Sequence, residues 1–527
     1  MTDTQSDYER QRQENIARNN ALLRELALQD LGSSLVEAAA QSRASSKRMS
    51  PVAATRSHKK TRSTRSLQRA TAAEKTVLPL RHSARLAGLK PGADAESDPL
   101  IKAEKEYAAE AQARYEKSRA RVAGDIKFED ISPEQVSSLW TFDDDDGRFK
   151  RDDEDTIHVE AAETPKLAKD IVQLRKDMSG MKLYNRFVPN DIKITPERVY
   201  HIEFHPSAAK RIVLAADKIG HLGVWDVDSA KTTTNDDDEE EEQPQLYLYK
   251  VHARTVSHFT FAPGVHDKVY TASYDGSIRC VDFKSGLSTE VYYGGDDDAV
   301  SEIHFANPNV VYFSTLFGEV GRKDLRSKDD VEKYRMHEKK IGGMSLHPRA
   351  PHLCATASLD RTMKLWDFRH IRKRYDDLGG QQPDFLGEYT SRLSVSCAAW
   401  NTQGGLVCNG YDDTINVFDL KDAASWGKMH IFEDGLKPSA TIRHNCQTGK
   451  WVTILRSQWQ DDPRDNVQKF VIGNMKRFMD IFTADGVQLA RLGDDELITA
   501  VPAACKLHPS KNWIVGATAS AKVCLFE

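Results

Sequence analysis

No two of the seven cysteines in this 527-residue chain stand in a Cys-x-x-Cys spacing; Cys280, Cys354, Cys397, Cys408, Cys446, Cys505 and Cys524 are scattered and odd in number. That pattern argues against a disulfide frame or a zinc site and reads as reduced thiols in a core. No apolar run approaches the roughly 20 residues that span a bilayer. The opening MTDTQSDYERQRQ lacks the apolar stretch of a secretory signal. GxSxG, HExxH, a P-loop and a Gly-rich dinucleotide fingerprint are all missing. A net charge of −5 gives no global excess that would nominate nucleic acid or membrane. The expectation is a soluble intracellular binding protein that is not an enzyme and takes no cofactor, metal, membrane or small-molecule substrate.

The average charge hides an uneven distribution. Over 1–40, YERQRQENIARNNALLRELALQ is rich in helix formers, with Ile16, Leu23 and Leu26 at helical spacing. It reads as a helix that is either solvated on its own protein or docked on a partner. Residues 41–98 form a basic arm; 41–90 carry thirteen Lys and Arg against the single acid Glu74. So few large apolar residues cannot offset the entropy of ordering, which predicts disorder. The KKTRSTR core, Lys59 to Arg65, reads as a nuclear import address, a polyanion contact or a solubilising tail. It places the chain in the nucleus, with the cytoplasm also open. Residues 99–180 read as a helical and then acidic linker, with DDDD at 143–146 and DDEDT at 152–156.

From 181 to 527 the texture changes to short β-rich runs separated by Asp, Gly and His-Pro turns. Seven units share one grammar: 201–227, 256–283, 299–326, 340–369, 394–420, 451–482 and 500–526. In each, a β run ends at a turn and a second run of small and β-branched residues follows. A tight turn with Asp or Asn leads to a third run ending in Trp-Asp or a degraded form of it. In the fourth unit His337, Thr356, Asp360 and Trp366 have the spacing for one buried hydrogen-bond network. The grammar resembles the WD-repeat family and implies an all-β, seven-bladed β-propeller with a largely disordered, partly helical N-terminal extension. KVCLFE at the end supplies the third strand of the last blade, and MKLYNRF (181–187) is expected to close the ring. NDDDEEEEQPQ (235–245) reads as a solvated loop.

Blade grammar also assigns faces. The Asp-turn rim, here called the top, should carry Lys218, Lys339, Lys340, Arg361, Lys476 and Arg477, with Arg198 and Arg443 beside strand starts. Cations from several blades on one rim suit phosphates. The bottom rim should carry Asp367 and Arg369 of WDFR (366–369) and Asp324 and Arg326 of the preceding KDLR (323–326). Such an arginine either pairs with its own aspartate or, as WDFR resembles the docking box of cullin RING ligase substrate receptors, holds a ligase adaptor propeller.

A closer resemblance covers most of 180–527 and islands before it. RMHEKKIGGMSLHPRAPHLCATASLDRTMKLWDFR is similar to a blade of the small subunit of the damage-specific DNA-binding complex, the UV-lesion sensor. YERQRQENIARNNALLRELAL, RHSARLAGL, DIKITPERVYHIEFHP, ADKIGHLGVWD and FVIGNMKRFMDIF resemble the fungal DNA damage-binding WD-repeat proteins of the changed-mutation-rate family. The resemblance implies binding of single- or double-stranded DNA, with a preference for UV-damaged DNA. It adds His444 and Asn445 to the site, in a stretch where the lesion sensor inserts an aromatic-led wedge. Here the wedge positions are Asn445, Cys446 and Gln447, none aromatic, so binding should be mostly electrostatic with weaker lesion preference. The other reading is a nuclear scaffold for histones or chromatin proteins without direct DNA contact.

Overall fold

Residues that alternate along a short strand face opposite sides of its sheet, so a strand apolar on both faces needs two apolar neighbours. The chain meets that demand by setting its repeats side by side around an axis. The computed structural model describes residues 120–132, 139–140, 164–234, 240–328, 331–373, 380–428, 430–449 and 451–527, all within one compact unit, Asp94–Glu527. Seven antiparallel sheets follow in chain order: blade 1 (199–250), blade 2 (256–293), blade 3 (300–335), blade 4 (341–390), blade 5 (395–443), blade 6 (458–492) and blade 7 (502–526). The expected seven-bladed propeller is present.

Seven apolar clusters fill the seven junctions between neighbouring blades. In the second strand of blade 1, Ile212–Asp217, Val213 and Ala215 join the cluster shared with blade 7. Ile212, Leu214 and Ala216 join the one shared with blade 2. Period-two burial on both faces is thus what joins one blade to the next.

Blade 7 contributes three strands of its own, and the fourth comes from the other end of the repeat array. Lys182 N–H donates to Glu527 O and Tyr184 N–H to Leu525 O, both at 2.8 Å, and Leu183 bridges Phe526 antiparallel. MKLYNRF therefore closes the ring as expected. In blade 4 the anticipated network also forms: Thr356 Oγ1 accepts from Trp366 Nε1 (2.8 Å) and lies 2.7 Å from His337 Nε2, while His337 Nδ1 lies 2.7 Å from Asp360 Oδ2. Every polar atom in it has a partner, which is what burial there demands.

Two expectations need correction. Glu240–Lys250 is a strand, paired from Thr234↔Glu240 onward, so 240–245 extend a hairpin instead of forming a loop. Pairing of Glu240, Glu241 and Glu242 with Thr234, Thr233 and Thr232 outweighs the charge of the glutamates. The expected linker also packs on the propeller. Ile126–Lys127 adds a fifth strand to blade 2, held by the buried Arg279, whose Nη1 donates to Gly124 O (2.8 Å). Trp140 stacks on Phe283 with ring centroids 4.2 Å apart. A helix, Thr164–Ser179, seats Leu174 and Met178 in the junction of blades 6 and 7. The expectations for the helix over 1–40, the basic arm over 41–98 and the acidic stretches at 143–146 and 152–156 lie outside the described residues.

Candidate nucleic-acid interface

Blades 1 to 5 build the top rim in the same way. The inner strand of each starts where the turn between its second and third strands lies, and a backbone bond ties the two. Lys218 N–H donates to Arg198 O (3.0 Å), Tyr274 to Thr255 O (2.9 Å), Leu316 to Ala299 O (2.9 Å), Leu359 to Lys340 O (3.1 Å) and Tyr411 to Ser394 O (3.0 Å). The rim is therefore a repeated pair of segments, and the residues at those positions share one face by construction.

That construction brings Arg198 and Lys218 together over blade 1, and Lys339, Lys340 and Arg361 over blade 4. Arg443 ends the outer strand of blade 5, opposite Thr414, and Lys476 and Arg477 form the turn of blade 6. Lys218, Lys339, Lys340, Arg361, Arg443, Lys476 and Asn445 are exposed; Arg198 and Arg477 are half-buried, Arg198 donating to Tyr200 Oη at 2.7 Å. Among the described residues none of Lys218, Lys339, Lys340, Arg361, Arg443, Lys476 and Arg477 is committed to an ion pair. Arg254 and Arg392, also exposed, precede the inner strands of blades 2 and 5 as Arg198 precedes that of blade 1. Sequence reading missed both, although their place just before a β run is the same signal that marked Arg198. The rim also carries exposed acids, Asp296 and Asp297 between blades 2 and 3 and Asp495 and Glu496 between blades 6 and 7. These confine the cationic surface to arcs instead of a closed ring.

His444 is placed differently from its neighbours. It is 6% exposed, with Nε2 3.0 Å from Asp480 Oδ2 and Nδ1 3.1 Å from Cys446 Sγ. Burial raises the Asp480 pKa, but hydrogen bonds from His444, Arg491 and Asn474 outweigh it and hold the carboxyl at about 2. The ring thus joins blade 5 to the third strand of blade 6 and is out of reach of a ligand on the rim. Cys446, at a wedge position, is buried as well.

The third residue of the rim turn has positive φ in all seven blades: Gly220, Gly276, Gly318, Arg361 (78°), Asp413 (59°), Arg477 (71°) and Ala521 (64°). Left-handed backbone costs a residue with a Cβ about 1–2 kcal/mol, which glycine avoids. Arg361 and Arg477 hold that conformation in spite of its cost, as do Asp413 and Ala521. Replacing Arg361→Gly relieves the strain but adds chain entropy to the unfolded state, so stability in urea should stay within about 1 kcal/mol of the parent. If Arg361 meets phosphate, affinity for DNA should nonetheless fall about 3- to 10-fold, measurable by fluorescence anisotropy.

The bottom rim is organised otherwise. Arg369 gives Nε and Nη2 to Asp367 (2.8 and 2.6 Å to Oδ2) and Nη2 also to Trp426 O (2.9 Å). Arg326 makes the same fork with Asp324 (2.9 and 2.6 Å), but its side chain is 69% exposed against 26% for Arg369. The Arg326 guanidinium holds Asp324 well below the usual carboxylate range; for Asp367 burial raises the pKa, but the Arg369 hydrogen bonds outweigh it and lower it.

Comparison with known proteins agrees with the fold. The WD domain, G-beta repeat, matches residues 329–367, the third-to-fourth blade segment that holds His337, Thr356, Asp360 and Trp366. The DNA damage-binding protein CMR1 of Phaeosphaeria nodorum is 41% identical over 553 aligned positions, covering 99% of this chain and 98% of its own. The proteins of the same name from Neurospora crassa (40%, 99% and 98%) and Emericella nidulans (41%, 99% and 99%) are similar over their whole lengths too. At this identity across both chains end to end, with a seven-bladed propeller beneath it, the chain belongs to the CMR1 family of DNA damage-binding WD-repeat proteins.

Proposed function

We propose that this chain is a DNA-binding propeller of the damage response that grips the sugar-phosphate backbone with its top rim and acts as a binding protein, not a catalyst. The observation that carries the reading is the set of cations from blades 1, 4, 5 and 6 on one rim that no acid of the described residues neutralises. The name shared by relatives in three fungi supports the choice of DNA as the polyanion. Uncompensated lysines and arginines release the counterions of DNA when they meet its phosphates, which drives association at low salt.

The finer reading is a preference for UV-damaged duplex, action in the nucleus, and a protein partner on the opposite rim. There Arg326 offers the accessible guanidinium, while Arg369 is tied to Asp367 and to the backbone of Trp426. The partner this suits is the adaptor propeller of a cullin RING ligase. Arg326→Ala should abolish that contact and leave DNA binding untouched.

The test is binding of the full chain to intact and UV-irradiated duplexes of one length between about 50 and 200 mM salt. Log affinity should fall linearly with log salt, with a slope of about −0.9 per phosphate neutralised. The irradiated duplex should bind more tightly at every salt concentration. A salt-insensitive affinity, or none, would overturn the reading.

A further inference from the structure

The loop between blades 5 and 6 is pinned at both ends and carries an aromatic ring at its apex. At its start, the N–H groups of Cys446 and Gln447 both donate to Asp413 Oδ1 (3.1 and 3.0 Å), tying it to the rim turn of blade 5. At its end, Asn409 reaches across from blade 5, donating Nδ2 to Leu455 O (2.8 Å) and accepting from Ser457 N–H (3.0 Å). Between these anchors Val452 N–H donates to Gly449 O (3.2 Å), making a tight turn. Trp451 stands in that turn with 75% of its surface exposed.

That exposure is exceptional in this chain. Of its eight tryptophans six are buried and Trp513 is half-buried. The loop that carries the ring also runs beside residues of the rim. Two residues on, the Thr453 hydroxyl donates to Val199 O (2.6 Å), and Val199 follows Arg198, whose carbonyl holds the Lys218 amide. Arg443 lies at the foot of the same loop. An indole on a pre-formed turn, on the rim that carries Lys218 and Arg443, combines the two elements by which proteins hold unpaired nucleic acid: an aromatic platform for the base and cations for its phosphate.

We propose that Trp451 is the base-stacking residue of the top rim, taking the face of an unpaired or unstacked nucleobase in DNA held by the neighbouring cations. This rests on the DNA-binding reading and deepens it. It assigns to one residue the preference for DNA whose bases are available, as in single strands or distorted duplex. Intact duplex offers no free base face, so it should gain nothing from the indole. The missing aromatic at 445–447 is thereby replaced by one a few residues further along, displayed from a turn instead of inserted from a hairpin tip.

The experiment uses the full chain, its Trp451→Ala and Trp451→Phe variants, and three probes: a mixed-sequence single strand, a perfect duplex and the same duplex with a short mismatched bubble. Trp451→Ala should lower affinity for the single strand and the bubble about 10- to 100-fold, leave the perfect duplex unchanged, and keep the salt slope, because no charge is removed. Trp451→Phe should keep most of the affinity. Tryptophan emission of the parent should be quenched by the single strand, and the quenching should vanish in both variants, since the other indoles are sheltered. Equal affinity of parent and Trp451→Ala for the single strand and bubble, or a loss that extends equally to perfect duplex, would overturn the assignment and leave DNA binding by the rim standing. Failure of the parent to bind any probe would overturn the DNA reading itself, and the assignment with it.

Discussion

Lys339→Glu with Lys340→Glu is expected to lower the affinity of the full chain for duplex DNA about 100-fold at about 50 mM salt. Both side chains are exposed, and their backbones are fixed independently of their charge. The Ser358 hydroxyl donates to both carbonyls, 3.2 and 3.0 Å away, and Leu359 N–H donates to that of Lys340. The propeller should therefore keep its melting temperature. Two positive charges become two negative ones beside Arg361, so two phosphate contacts are lost and the remaining phosphates are repelled. The first effect lowers the salt slope by about 2, since each contact contributes about 0.9. The second shrinks as salt screens it, so parent and variant should converge toward about 1 M salt, where the Debye length is near 3 Å. The same experiment separates rim from arm. If the basic residues of 41–98 alone hold DNA, the double reversal will change neither affinity nor slope, and DNA contact will have to be moved off the propeller. A fall in affinity without a change in slope would also count against phosphate contact at these lysines.

The legible part of this protein is what repetition makes legible. Each blade repeats one backbone plan, so finding the Asp turn and the Trp-Asp end of one unit assigns every residue near them to a rim. That is why the sequence sets Lys218, Lys339, Lys340, Arg361 and Lys476 on one face, and why 181–187 reads as the closing strand. Features that lie between repeats were not legible in the same way. The helix Thr164–Ser179 has Ile171, Leu174 and Met178 on one face, a short stripe overshadowed by the acidic stretch before it. His444 looks like a rim residue by position; only the meeting of blade 5 with Asp480 of blade 6 shows that its ring is spent inward. Trp451 carries no signal in the sequence that sets it apart, because its exposure depends on Asp413 in the rim turn and Asn409 in the second strand of blade 5 holding the loop at its two ends. Pairings across the axis are the least legible of all, because nothing in a repeat announces a partner on the far side of the ring.

The largest loss of stability should come from such a pairing. Arg456 precedes the inner strand of blade 6, and Glu302 lies on the inner strand of blade 3, 154 residues earlier in the chain. They form an ion pair at the axis. Arg456 Nη2 also donates to Gly342 O (2.7 Å) on blade 4, and Glu302 accepts the N–H of Met344. Glu302 is 5% exposed. Burial alone would raise its pKa, but the attraction of Arg456 outweighs burial and holds the carboxyl below its ordinary value. Arg456→Ala removes that compensation and strands a carboxylate in the channel, which costs about 3–5 kcal/mol. The midpoint of thermal unfolding should drop by roughly 5–10 °C. The pH dependence should change sense locally. In the parent, a depressed folded pKa makes Glu302 contribute stability that is fully present above the unfolded value near 4.3 and lost as pH falls through the folded value. In Arg456→Ala the folded pKa rises above the unfolded one, so lowering the pH toward 4.3 should recover stability that the parent does not gain. Glu302→Gln in the Arg456→Ala background should restore much of the loss at neutral pH, because a neutral amide no longer needs the guanidinium. If Arg456→Ala melts within about 1 °C of the parent, water reaches the channel freely and the pair across the axis contributes no more than a surface salt bridge.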